Sequence, residues 1–124
     1  MLPSPPIDRD WLLGNCSDSV DFALSQLNEF ATTCPSRFKD FETALTDHSR
    51  ASISSRAHAL KGVAGILAAG TLMEFCSNLE STSDNDDWNS TRDLIQQLRD
   101  ETQRVIDFIP SVRDTAADNV IRLP

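Results

Sequence analysis

The stretch AHALKGVAG, residues 57–65, places a histidine and a lysine three positions apart, one turn of a helix from each other. The imidazole of His58 can act as a nucleophile at physiological pH when the ring is exposed. The ammonium of Lys61 can then lie beside an anion attached to that ring. We find no paired carboxylates near the histidine and no Ser/His/Asp order. A lone nucleophile with one cationic neighbour favours the transfer of a phosphoryl group, which needs mainly positioning and charge neutralisation.

Two glycines follow the histidine in the same predicted helix, although each costs roughly 0.5–1 kcal/mol relative to alanine in a helix interior. At about 100° per residue, the core stripe of this helix consists of Ile53, Ala57, Leu60, Ala64 and Leu67. His58 lies nearly opposite, on an outer face that also contains Ser54, Lys61, Gly62, Gly65 and Ala69. Side chains are missing next to the imidazole, which indicates that a partner's surface must come close to the ring.

The composition argues against several functional classes. The chain has 124 residues and a net charge of −8, whereas nucleic-acid binding needs a basic surface. The same acidic balance disfavours docking on an anionic membrane. Three widely spaced cysteines and two histidines offer little for a disulfide framework or a metal site. The N-terminus has no signal-peptide pattern, so we expect a cytoplasmic protein.

Apolar residues recur at helical spacing along most of the chain, and no segment alternates with the period of a strand. This pattern predicts helices over 17–33, 35–47, 50–81 and 87–109, and a short helix around 8–13. Pro35 is expected to begin the second helix, Gly70 to mark a break in the third, and Pro110 to end the last. The predicted fold is all-α, an antiparallel four-helix bundle over residues 8–110 capped by the short helix. Residues 1–7 are expected to be a linker, and 111–124 a tail or short helix.

Residues 57–80, AHALKGVAGILAAGTLMEFCSNLE, resemble the signature of histidine-containing phosphotransfer (HPt) domains of two-component phosphorelays. The family pattern is His-x-Leu-Lys-Gly, then small residues, then an apolar register that ends in Leu-Glu. The matching positions are His58, Leu60, Lys61, Gly62, Ala64, Gly65, Ala69, Leu72, Cys76, Leu79 and Glu80. The chain departs from the pattern at Val63, at Ile66, where many members have an amide, and at Ala68, where a glycine is usual.

The resemblance implies that His58 takes a phosphoryl group from the aspartate of one receiver domain and passes it to the aspartate of another. Lys61 would steady the phosphoryl charge, and Gly62 and Gly65 would allow close docking. Ile66 would be an exposed apolar contact at that interface. The chain would need no cofactor of its own, because the receiver supplies the magnesium ion and the acidic pocket. The expected partners are the receiver domains of a hybrid kinase and of a response regulator.

Other interpretations stay open from the residues alone. The second interpretation is a binding module whose histidine is never phosphorylated. A metal-binding bundle enzyme is much less favoured, because the chain lacks the repeated Glu and Glu-x-x-His ligands that such sites require. Glu80 could be a helix-end charge with no part in transfer. The chain has no ATP-binding motif, so it should not phosphorylate itself, and we expect a carrier and not an enzyme. We also expect a monomer. The proline-rich start is compatible with the C-terminal domain of a hybrid sensor kinase or with a stand-alone HPt protein.

Overall fold

The computed structural model of the chain describes residues 4–82 and 85–121, and for 115–121 the helical backbone alone. The ends of the two predicted tails, 1–3 and 122–124, and residues 83–84 of the predicted polar loop lie outside this description. The described residues form five helices, which are α1 (Arg9–Asn15), α2 (Val20–Thr46), α3 (Arg50–Ile66), α4 (Gly70–Glu80) and α5 (Trp88–Ile121). The described residues contain no strand, so the predicted all-α class is confirmed.

The four long helices form the bundle. Each packs mainly against two others, in the ring order α2, α3, α4, α5. Short turns connect consecutive helices, so neighbours run antiparallel. Ion pairs join neighbouring helices. Arg56 of α3 lies 3.4 Å from Asp40 of α2, and Arg99 of α5 lies 3.2 Å from Glu42 of α2. Within the described residues no helix combines the length and hydropathy that a membrane span needs.

The predicted core stripe of α3 is confirmed. Its members, Ile53, Ala57, Leu60, Ala64 and Leu67, are all buried, with Leu67 just past the end of the helix. They face buried residues of the other long helices, among them Phe38, Leu72 and Leu98. Because this stripe occupies the inner side of α3, the residues opposite it, including His58, must lie on the surface.

Two predicted helix boundaries at prolines are wrong. The expected break at residues 33–35 does not occur, because α2 continues through Pro35. The apolar stripe keeps its register across the proline, with Cys34 and Phe38 buried on the same face while Pro35 points to solvent. Burial of these side chains offsets the lost hydrogen bond and crowding, which cost about 3 kcal/mol. In the same way, α5 continues past Pro110 because Val112 beyond it is buried.

The bundle therefore extends slightly beyond the predicted limits. Ile7 and Val112, which flank the predicted range of 8–110, are both buried in the core. The segment after Pro110 is the continuation of α5 as far as Ile121, and not a separate helix. The division of the chain into domains otherwise stays a prediction.

Replacing Pro35 with alanine is expected to stabilise the protein by about 1–2 kcal/mol. Alanine restores an N–H that can donate to the carbonyl of Ala31 and removes the contact between that carbonyl and the proline ring. Part of the gain is offset because proline restricts the unfolded chain. Thermal or urea unfolding measures the change. A loss of stability in this variant would contradict the account of α2 as one helix.

The turn between α3 and α4 lies slightly earlier than predicted. The residues outside both helices are Leu67, Ala68 and Ala69, and Gly70 is the first residue of α4. Ala69 N–H donates to the Ala64 carbonyl at 2.9 Å and Ala68 N–H to the Gly65 carbonyl at 3.2 Å. This pair of bonds is the Schellman motif, which requires a left-handed residue at the position of Ala68, where φ is 58°. This left-handed conformation explains why glycine is usual at this position of the family pattern, although this chain has alanine there.

The predicted short N-terminal helix is confirmed as α1. Asp8 caps it by accepting a hydrogen bond from the Trp11 N–H at 3.1 Å. Leu12 is buried in the bundle, and Asp8 N–H donates to the carbonyl of Ala68 at 2.9 Å. Thus α1 is fixed against the end of the bundle that contains the α3–α4 turn.

Candidate functional site

His58 lies near the middle of α3 on the side away from the core. Its side chain is 78% exposed. Ala57 and Leu60, which flank it, are buried because they belong to the core stripe, so the rotation of α3 fixes the imidazole outward. This placement agrees with the sequence-based expectation for a histidine that another protein must reach.

The nearest acidic group comes from α4. Glu80 is the last residue of that helix, and its Oε2 lies 3.3 Å from Nδ1 of His58. Its other oxygen, Oε1, lies 3.6 Å from Nζ of Lys61. Glu80 is only 24% exposed at its side chain, and Oε1 is buried without a hydrogen bond. One carboxylate therefore bridges the two residues that the sequence singled out.

This contact selects one form of the imidazole. An ionised carboxylate can only accept hydrogen bonds, so the favoured tautomer of His58 carries its proton on Nδ1 and donates it to Glu80. The lone pair is then on Nε2, the ring nitrogen that Glu80 does not contact. In an exposed ring, Nε2 is the atom free to attack an electrophile.

Sequence reasoning assigned no role to Glu80 and left it as a possible helix-end charge. The signal that could have identified it is the hairpin register. His58 and Glu80 are equally far in sequence from Ala69 at the turn, so antiparallel packing of α3 on α4 places them side by side. Because the sequence locates the turn only approximately, it does not predict that His58 and Glu80 lie side by side.

The two glycines of the outer face have different surroundings. A Cβ at Gly62 would meet nothing within 4 Å, so this position is open. A Cβ at Gly65 would lie 3.7 Å from Cε of Met73 on α4, which is an ordinary packing distance. Gly62 thus fits the predicted role in close approach, whereas Gly65 lies partly against the neighbouring helix.

The remaining predicted docking residues are divided. Ile66 is 53% exposed and Ser54 is partly exposed, so both can contribute to a surface. Ala69 is fully buried, and its assignment to the docking face is wrong. It follows the end of α3 and caps α4, so the helical wheel no longer applies to it.

A hollow of about 140 Å³ lies between α2 and α3 beside Ile66. It is lined by Gln26, Glu29, Phe30, Thr33, Arg37, Val63, Ile66 and Leu67. Its lining combines apolar and polar side chains, which is the composition of a transient protein interface.

Cys76 lies beneath the site, fully buried in the core. Burial raises the pKa of its thiol to about 12, Glu80 adds to the rise and Lys61 opposes it. The thiol is therefore neutral at physiological pH and packs as a small apolar group, as predicted. Among the described residues, no three His, Cys, Asp or Glu side chains are grouped so as to hold a metal ion.

An antiparallel helical bundle that presents a histidine on one helix face, with a lysine one turn away, has the architecture of a histidine phosphotransfer module. The sequence profile of the Hpt domain matches residues 26–108, so the chain belongs to the Hpt domain family. A comparison with curated proteins gives no match. Members of this family are phosphotransfer carriers that exchange phosphoryl groups with receiver domains, and the predicted phosphorelay role is confirmed at this level.

The fold is similar to that of histidine-containing phosphotransfer protein B (HptB) from Pseudomonas aeruginosa PAO1. The TM-score is 0.78 and the identity 21%, with 91% of this chain and 98% of the other covered. At this identity the likeness concerns the fold. It extends over nearly the whole chain, including elements on both sides of the residues that the family profile matches.

Proposed function

We propose that His58 is the phosphorylated residue of this chain. The observation that carries the proposal is the contact of Nδ1 with Glu80 on a ring that is otherwise 78% exposed. Nε2 attacks the phosphorus of a receiver's aspartyl phosphate, an N–P bond forms, and the P–O bond to the aspartate breaks. The aspartate leaves as a carboxylate. The reverse steps, with a second receiver, pass the group on.

Glu80 and Lys61 stabilise different charges in this reaction. Phosphorylation of Nε2 turns the ring into a cation that still has a proton on Nδ1, and the carboxylate of Glu80 pairs with it. Lys61 lies on the same outer face and can turn its ammonium from Glu80 to the phosphoryl oxygens. The receiver supplies the magnesium ion together with its own acidic pocket.

The receiver docks over α3. Gly62 provides an open backbone next to the ring, while Ile66 and Ser54 provide contacts around it. The partners are the receiver domain of a hybrid kinase and that of a response regulator. The chain acts as a monomer in the cytoplasm.

Purified receiver domains, phosphorylated with ³²P, test the proposal directly. Label should move from the receiver to this chain and should be lost in acid but retained in alkali, as phosphohistidine is. The alternative is a module that only binds its partner. Measurable binding of a phosphorylated receiver without any transfer would favour that alternative.

Replacing Glu80 with alanine is expected to lower the initial rate of phosphorylation about ten-fold or more, because Nδ1 loses its acceptor and the imidazolium its counter-charge. Glu80→Gln should have a smaller effect, since the amide oxygen still accepts a hydrogen bond but carries no charge. Labelling by phosphoramidate, a small donor that needs no docking, measures both variants. Glu74→Gln, at an exposed position of α4, is the matched control. Unchanged rates in Glu80→Ala would refute the role of this carboxylate.

A further inference from the structure

Helix α1 contacts α3 at the end that carries Gly65 and Ile66. The side-chain amide of Asn15, the last residue of α1, donates to the carbonyl of Ile66 at 3.1 Å and to that of Gly65 at 3.3 Å. These residues are far apart in sequence, so the contact exists only in the folded bundle. Neither α1 nor Asn15 belongs to residues 26–108, which the family profile matches.

The Asn15 amide donates hydrogen bonds to carbonyls at the end of α3, where the helix itself does not supply enough donors. The last four carbonyls of a helix have no partner within it. In α3 the Schellman bonds use those of Ala64 and Gly65. Ile66 is the final residue of the helix, and Asn15 reaches its carbonyl from outside. At the other end of α1, the N–H of Asp8 donates a hydrogen bond to the carbonyl of Ala68 in the α3–α4 turn. Both ends of α1 therefore hold this end of α3 in place.

Ile66 is also an exposed apolar residue, and it lines the hollow between α2 and α3. A side chain in the last turn of a helix is held in place only if that turn does not fray. We infer that Asn15 is a positioning residue for receiver docking: by fixing the last turn of α3, it fixes the place of Ile66 on the docking surface. This inference rests on the proposed function and adds α1 to the elements that determine partner affinity.

The test uses the full chain with Asn15→Ala and, as a second variant, Asn15→Asp, which cannot donate and adds a negative charge next to the carbonyls. Asn15 is exposed, so both variants should fold. The dissociation constant of a purified receiver domain is expected to rise about two- to ten-fold in Asn15→Ala and further in Asn15→Asp. Labelling by phosphoramidate should not change. Asn28→Ala, an exposed asparagine of α2, is the matched control and should bind as the wild type does.

A double-mutant cycle separates positioning from a general loss of stability. If Asn15 acts through Ile66, Asn15→Ala should have little further effect on binding in an Ile66→Ala background. Equal effects in both backgrounds, unchanged binding in the single variants, or an equal fall in phosphoramidate labelling would each overturn the inference. Binding is measured whether or not phosphoryl transfer occurs. A receiver that binds without transferring therefore counts against the proposed function, while the role of Asn15 is still decided by its own variants.

Discussion

Replacing His58 with glutamine is expected to abolish labelling of the chain by a phosphorylated receiver. Glutamine has a similar size and can keep a hydrogen bond to Glu80, but its amide nitrogen is not a nucleophile. The side chain is 78% exposed, so the free energy of unfolding should change by no more than about 0.5 kcal/mol. Labelling is then lost because the nucleophile is missing and not because the protein unfolds. The loss should therefore appear with phosphoramidate as well as with a receiver.

The chain contains its own control for this result. His48 is the other histidine, and it lies in the turn before α3 with its ring 4.9 Å from that of Trp88. His48→Gln should be labelled like the wild type, because its exposed imidazole lies against the ring of Trp88 and has no role in transfer. Retention of an acid-labile label in His58→Gln, or its loss in His48→Gln, would contradict the assignment of His58.

The parts of the fold that could be predicted are those encoded by local periodicity. The stripe of α3 that contains Ile53 and Leu60 repeats at helical spacing, so it specifies both the helix and the side that is buried. The outward direction of His58 follows from that stripe without knowledge of any other helix. The helical class and the bundle follow from several such stripes joined by short loops.

The boundaries at prolines could not be predicted in the same way. Proline has an intrinsic cost within a helix, and this local cost argued for breaks at Pro35 and Pro110. Whether packing overcomes it depends on burial of residues beyond the proline, such as Phe38 and Val112, against other helices. This stabilisation comes from packing between helices, which the local pattern of a single sequence does not show.

In the candidate site, too, some residues could be placed from the sequence and others could not. Lys61 and Gly62 could be placed next to His58 because all three lie within one continuous helix. Glu80 could not, since its distance from the imidazole depends on where the α3–α4 turn falls. The turn is fixed by the left-handed conformation of Ala68, and alanine gives no sequence signal for it. The error at Ala69 has the same origin, because the wheel was extended beyond the end of the helix.

Substitutions at Gly62 are expected to change stability and phosphotransfer in opposite directions. Gly62→Ala adds a methyl group into open space and should stabilise the helix by roughly 0.5–1 kcal/mol. Gly62→Gln also introduces a better helix former, but its side chain projects from the face that the receiver must approach. A displacement of about 1 Å between the reacting atoms can cost about 10²-fold in rate, so receiver-dependent transfer to Gly62→Gln should fall by about that factor.

Three measurements distinguish a blocked approach from other causes. Thermal unfolding should show that Gly62→Gln is at least as stable as the wild type, which excludes misfolding. Labelling by phosphoramidate should be retained, because a small donor passes the glutamine and His58 itself is unchanged. Gly65→Ala is the matched control, since its methyl would lie 3.7 Å from Met73 in ordinary contact and away from the ring. It should transfer at close to the wild-type rate. Transfer at the wild-type rate in Gly62→Gln would mean that the receiver does not need this open backbone, and the helix would then have no functional reason to keep a glycine there.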